Sequence, residues 1–166
     1  AAVATLRREG IPVGLDLVGG AYPPAQRRLN EAIDTWDPHR NFVRFLGALQ
    51  PRDVVETYHT ADATVFASSC ETPSFVVLES MASGLPIACS DRSAMPEILR
   101  EAAEYFNPED PPSIASALRA MLDSTQRRTD LARSAFELAQ EFAWDRCADD
   151  TLRFIAEVAR NRRTKP

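Results

Sequence analysis

An apolar strand, Ala63-Thr-Val-Phe-Ala67, runs out into small polar residues, and a short helix follows after a loop. Thr72 or Ser74 suits the N-cap of that helix, and Pro73 suits its first position. The helix reads from Phe75 to Ala82 and is closed by Gly84, with Pro86 just beyond. Taken alone, Phe75-Val-Val-Leu78 also fits a buried strand. Its length and the Gly-x-Pro stop favour the helix, since periodicity does not settle an apolar run this short. A strand followed by a helix restricts the chain to layered α/β arrangements.

Two glutamates frame this helix. Glu71 stands in the loop before it, and Glu79 stands inside it among residues that are otherwise apolar. A helix apolar nearly all round reads as buried. A carboxylate there needs partners, and sugar or ribose hydroxyls suit an ionised carboxylate, which only accepts. Eight residues at helical rise separate the two carboxylates by roughly 12 Å. Between them lies a helix N-terminus, where free N–H groups and the dipole favour an anion such as phosphate. The segment therefore reads as carboxylate, anion site, carboxylate, matching a sugar, a diphosphate and a ribose. The plainer alternative makes Glu71 a loop-surface residue and points Glu79 to solvent from a half-exposed helix.

The rest of the chain alternates in the same way. Ala1 to Arg8 has helical composition, ended by Gly10 and Pro12. Val13 to Val18 reads as a strand running into Gly19-Gly20, and Pro23-Pro24 open a polar helix to Ile33 or Trp36. Asp37-Pro-His is a turn, Asn41 to Leu46 a strand closed by Gly47, and Arg52 to Thr60 a helix. After the central segment come a strand at Ile87 to Ser90, a short helix at Ala94 to Glu101 and a brief edge strand at Tyr105-Phe106. From Pro111 onward the pattern is helical: Pro112 to Leu122, Gln126 to Phe142, and Trp144 to about Arg160. Apolar strands alternating with helices predict a Rossmann-like parallel sheet covered on both faces, with a helical C-terminal end. In such sheets ligands bind beyond the carboxyl ends of the strands. Gly19, Gly20, Gly47 and Glu71 all follow predicted strands, so they are expected to face one crevice.

Composition narrows the function classes. The chain has 166 residues, enough for one domain with a sizeable core, and a net charge of −5 that offers no basic surface to nucleic acid. The basic run Arg162-Arg163-Thr164-Lys165 reads as a solvated tail. No apolar stretch approaches the ~20 residues of a membrane span, and nothing resembles a signal peptide. Cys70, Cys89 and Cys147 are scattered and odd in number, which suits free thiols, small core residues and a reducing cytoplasm. His39 and His59 have no spacing that suggests a metal site.

The central segment resembles a known signature. Glu71-Thr-Pro-Ser-Phe-Val-Val-Leu-Glu79-Ser-Met-Ala-Ser-Gly84-Leu-Pro86 is similar to the E-x-x-x-x-x-x-x-E motif of retaining, nucleotide-sugar-dependent glycosyltransferases of family 4, the group 1 glycosyltransferases of GT-B fold. Glu71, Leu78, Glu79, Met81, Ala82, Gly84 and Pro86 match the pattern, while Pro73-Ser74 replaces Phe-Gly and Ser80 replaces Ala. Leu17-Val-Gly19-Gly20, Val43-Arg-Phe-Leu-Gly47, Tyr58-His-Thr-Ala-Asp62 and Phe142-Ala-Trp144 resemble further family segments, so the likeness covers most of the chain.

The resemblance implies a donor-binding C-terminal domain. By that likeness Glu71 is the catalytic residue beside the donor sugar. Backbone amides at Ser74, Phe75 and Val76 meet sugar or phosphate, and Glu79 binds the ribose hydroxyls. Gly47, Ala48 and Leu49 border the base, near Gly19 and Gly20. The donor is a UDP-, GDP- or ADP-sugar, with no cofactor and no metal. The family's C-terminal domain opens one strand earlier, on a strand carrying an Arg and a Lys for the diphosphate. The chain is accordingly expected to be a fragment without that strand or the N-terminal acceptor domain, inactive alone and open to dimerisation through the gap. The intact protein would transfer a hexose to a glycan, glycolipid or other acceptor in the cytoplasm or at the inner face of the membrane. The alternatives are a non-catalytic nucleotide-sugar-binding partner subunit and a sugar-nucleotide epimerase of the same fold.

Overall fold

The computed structural model describes residues 1–71 and 74–163. Helix α1 (Ala2–Arg8) leads into β1 (Leu15–Val18), α2 (Pro23–Trp36), β2 (Val43–Gly47) and α3 (Pro51–Thr60). Then follow β3 (Thr64–Phe66), α4 (Phe75–Ala82), β4 (Ile87–Ser90), α5 (Met95–Leu99) and β5 (Glu104–Phe106). Helices α6 (Pro111–Leu122), α7 (Thr125–Ala139) and α8 (Trp144–Arg163) end the chain. Every predicted element is present. Strands β1, β2 and β3 start one or two residues later than expected, β4 has the expected bounds, and β5 is one residue longer. The N-cap suggested at Thr72, the helix start at Pro73 and the side chains of the basic run at 162–165 lie outside the described residues.

All strand pairs are parallel, as the apolar strands and intervening helices require. The sheet is divided, however: among the described residues β1 pairs only with β2, and β3, β4 and β5 form a second sheet in that order. The two sheets are also covered differently. Strand β4 is buried along its whole length. Its Ile87 and Cys89 join α4, α5 and α7 in one apolar cluster, and its Ala88 joins α1 and α6 in another. The expected burial on both faces therefore holds for β4, the central strand of this sheet, while its edge strand β3 keeps Val65 exposed. It fails for the first sheet, where no strand residue is fully buried. The physical reason is visible in the register. Asp16 stands opposite Arg44 across the two strands, and their exposed side chains form a two-bond ion pair at 2.6 and 2.5 Å. Charged residues at alternate positions require one face of a strand pair to stay wet.

One buried polar residue organises the start of β2. Asp37 is 2% exposed and follows the last residue of α2. Its carboxylate accepts the N–H groups of Asn41, Phe42 and Val43, each at 2.8 Å. Burial alone pushes such a carboxyl up, but these three bonds and the nearby Arg40 guanidinium outweigh it and hold Asp37 below the usual carboxylate range. Elsewhere, Cys89 is buried as expected of a core thiol, and burial pushes it up to about 12. Cys70 and Cys147 are exposed, so the expectation of three core thiols holds for one of them. Among the described residues no helix is long and apolar enough to cross a membrane.

Candidate functional site

The site is assembled at the carboxyl ends of the strands. Val18 of β1 pairs with Gly47 of β2, and the Gly19 N–H donates to the Gly47 carbonyl at 2.8 Å. Both glycines turn the chain with positive φ, +134° at Gly19 and +69° at Gly47, in conformations that side chains rarely adopt. A Cβ on Gly20 would come within 3.9 Å of the Ala48 Cβ. The structure thus brings Gly19, Gly20, Gly47 and Ala48 to one spot, and Leu49 follows, two residues before α3 opens at Pro51.

The second part lies after β3. The chain leaves Phe66 and reaches Glu71, whose exposed carboxylate accepts the Ser68 hydroxyl at Oε1, 3.0 Å away. The Glu71 amide donates to Ser93 Oγ at 3.2 Å. Ser93 belongs to the loop after β4 and itself has φ +57°. Glu71 is therefore held by its own loop and by the next strand's loop together. Sequence reading singled out neither serine, because the second contact spans 22 positions.

Ser74 is the N-cap residue of α4 by position, with extended backbone, and no hydrogen bond from its side chain caps the helix. The Val77 and Leu78 N–H groups donate to the Ser74 carbonyl at 3.1 and 3.3 Å. The Phe75 and Val76 amides precede the first intrahelical bonds and stand at the positive end of the helix. The eight-residue interval between the glutamates is not all helical, since regular turns start only at Phe75, so the 12 Å helical spacing does not apply.

Helix α4 also corrects an expectation. It is not buried all round. Val77, Ser80 and Met81 pack inward, while Phe75 is 64% and Val76 50% exposed and Glu79 is exposed too. Tyr58 of α3 and Trp144 of α8 reach that side of the helix but leave Phe75, Val76 and Glu79 exposed. Glu79 is consequently no buried charge. Its Oε2 lies 3.3 Å from the hydroxyl of Tyr58, near the end of α3. Burial raises the Tyr58 phenol above its ordinary value, the Ser80 hydroxyl opposes this, and the Glu79 charge adds to it. The phenol stays protonated at neutral pH and donates. Ser80 also donates to the Val76 carbonyl at 2.9 Å, so the hydroxyl that departs from the family pattern is satisfied within the helix. The Phe75 ring meets Trp144 of α8 with centroids 6.2 Å apart, a contact that sequence reading did not foresee.

Among the described residues no three His, Cys, Asp or Glu side chains are grouped as metal ligands would be. The arrangement offers two carboxylates that accept hydroxyls, a helix N-terminus between them that accepts an anion, and a close pair of glycine turns against which a flat group can lie.

The chain is similar in sequence and in fold to known proteins. The O-antigen chain mannosyltransferase B of Escherichia coli is 30% identical over 112 residues, covering 67% of this chain and 29% of that protein. The chain spans between 21% and 31% of the first curated relatives it matches. Among solved structures, Anabaena Alr3699/HepE in complex with UDP superposes with a TM-score of 0.79 at 21% identity, over 94% of this chain and 43% of that one. The C-terminal domain of the glycosyl transferase group 1 family protein LpcC from Francisella tularensis gives 0.73 at 20% identity, over 85% of this chain and 75% of that one. These likenesses establish the fold as that of one half of a GT-B glycosyltransferase. The description "Glycosyl transferases group 1" matches residues 1–124, three quarters of the length, and the chain belongs to that family.

Proposed function

We propose that this chain is the C-terminal, donor-binding domain of a glycosyltransferase that transfers a hexose from a nucleotide sugar with retention of anomeric configuration. One observation carries the reading: Glu71 and Glu79 stand on either side of the exposed N-terminus of α4, beyond the end of β3. In this reading Glu71 meets the donor sugar, the Ser74, Phe75 and Val76 amides meet sugar or phosphate, and Glu79 accepts the ribose hydroxyls. The turns at Gly19-Gly20 and Gly47-Ala48-Leu49 border the base. The UDP bound by a protein of the same fold supports a nucleotide as the ligand class. Stabilisation of the leaving diphosphate is then electrostatic, from oriented N–H groups rather than a metal. The acceptor is a glycan or a lipid-linked glycan bound by another part of the protein, in the cytoplasm or at the membrane's inner face.

The test is binding of UDP, GDP, ADP and their glucose, mannose and N-acetylglucosamine conjugates, followed by ligand-observed NMR beside Glu79→Ala. One base is expected to bind, with affinity about tenfold lower in the variant, the scale of a lost charged hydrogen bond. Equal binding by the variant, or silence for every ligand, would refute the reading.

The divided sheet supports a second part of the proposal. Strands β1 and β3 each have only one hydrogen-bonded neighbour among the described residues, and free edges pair with other chains. At high concentration the chain is expected to dimerise through these edges. Light scattering that stays at the monomer mass of 18.4 kDa would sink that expectation.

A further inference from the structure

Tyr58 is the only described side chain that bonds the Glu79 carboxylate, and it reaches it across 21 positions of sequence. Its hydroxyl lies 3.3 Å from Oε2 and 3.4 Å from the Val76 carbonyl. A phenol has one proton to give. The Val76 carbonyl already accepts the Ser80 hydroxyl at 2.9 Å, and an ionised carboxylate is the stronger acceptor. The Tyr58 proton therefore goes to Glu79. Without that bond an exposed glutamate on a helix samples several rotamers, and a ligand must bear the entropy of ordering it. With it, Oε2 is held at one point while Oε1 has no hydrogen-bond partner among the described residues and stays open to a hydroxyl.

The path of the chain gives this contact a second consequence. Helix α3 starts at Pro51, four residues past Gly47, and carries Tyr58 to α4. One rigid helix thus links the glycine turn of the first sheet to the carboxylate of the second.

We infer that Tyr58 is a positioning residue whose hydroxyl presets the Glu79 carboxylate for the vicinal diol of a ribose, making this site select ribonucleotides over 2′-deoxyribonucleotides. The inference rests on the donor-site reading above and adds to it the group that orients the glutamate.

The experiment compares UDP, GDP and ADP with their 2′-deoxy counterparts by calorimetric titration of the 166-residue chain, using the tightest base for the variants. The parent should prefer the ribonucleotide by about tenfold, as expected for one hydrogen bond to a charged group. Tyr58→Phe keeps the ring and should lower that ratio about three- to fivefold, with a smaller loss of 2′-deoxy affinity through the remaining 3′-hydroxyl and the thermal midpoint within about 2 °C. A Tyr58→Phe chain that keeps the full ratio, or that loses both affinities equally, overturns the inference, the second result marking a purely structural role. Glu79→Ala separates the two levels. If it flattens the ratio while Tyr58→Phe does not, only the role of Tyr58 fails. If it leaves the ratio intact, or if the parent binds no nucleotide, the donor-site reading fails and this inference with it.

Discussion

Asp37→Ala is expected to lower the thermal midpoint of this chain by about 10 °C at neutral pH, and Asp37→Asn by about half as much. The argument is one of unpaired donors. In the parent, three consecutive N–H groups, those of Asn41, Phe42 and Val43, converge on one buried carboxylate. Alanine leaves all three without an acceptor in a place that water does not reach freely, and an unmade buried hydrogen bond costs more than a made one contributes. Asparagine keeps a single carbonyl oxygen and replaces the other acceptor with a donor facing N–H groups. The damage also spreads, because these residues lead into β2 and so fix where Gly47 and Ala48 stand beside Gly19 and Gly20.

The same carboxylate gives the prediction a pH signature. Its folded-state pKa lies below the ordinary value, since the three N–H bonds and Arg40 outweigh burial. Its contribution to stability is therefore full above the unfolded carboxylate range, about 4, and is lost as the pH falls through the lower folded value. The difference in midpoint between parent and Asp37→Ala should hold steady from pH 7 to about 5 and shrink below about 4. Circular-dichroism melts across that range decide the matter. A variant that melts within about 2 °C of the parent at pH 7 shows that the carboxylate does not anchor β2.

The sequence was most legible where a local rule acts alone. The end of α4 follows from Gly84-Leu-Pro86, and the helix spans the predicted residues although Ser74 stands at its N-cap without a capping bond from its side chain. The parallel order followed from apolar strands separated by helices. The exposed face of the first sheet was written in Asp16 and Arg44, each flanked by apolar neighbours, but the apolar content of the strands outweighed that alternation in the reading. Legibility failed where a residue's surroundings come from far along the chain. Whether Glu79 is buried depends on what packs over Phe75 and Val76, and an apolar composition does not reveal that Trp144 and Tyr58 leave them largely exposed. Tyr58 and Ser93 touch the site only because α3 and the loop after β4 are brought beside α4 and Glu71 by the fold. Asp37 was readable as a turn residue. Its three backbone partners were not, because they depend on how α2 ends against the start of β2.

On the proposed donor-site reading, Glu71→Ala in the intact protein is expected to lower kcat for sugar transfer by about 10²- to 10³-fold, the range seen when a preorganised electrostatic contact to a reacting centre is removed. The side chain is exposed and supports no core residue, so the thermal midpoint should move by less than about 2 °C. What sets Glu71 apart from an ordinary surface glutamate is how firmly it is held. Its amide is tied to Ser93 and one carboxylate oxygen is tied to Ser68, leaving Oε2 without a partner among the described residues. On the donor-site reading, this loop residue fixed at two points meets the sugar, and the neighbouring N–H groups of α4 meet an anion. Ser68→Ala removes only the bond that orients the carboxylate, so it should cost about three- to tenfold in kcat with the donor KM little changed. Steady-state kinetics with the donor identified by the binding panel distinguish the outcomes. A loss confined to KM assigns Glu71 to holding the sugar in ground and transition state alike, whereas a loss in kcat places its contact in the transition state. Transfer within about threefold of the parent would mean that the chemistry does not pass by Glu71. The Ser68 and Ser93 contacts would then serve only to close the loop between β3 and α4.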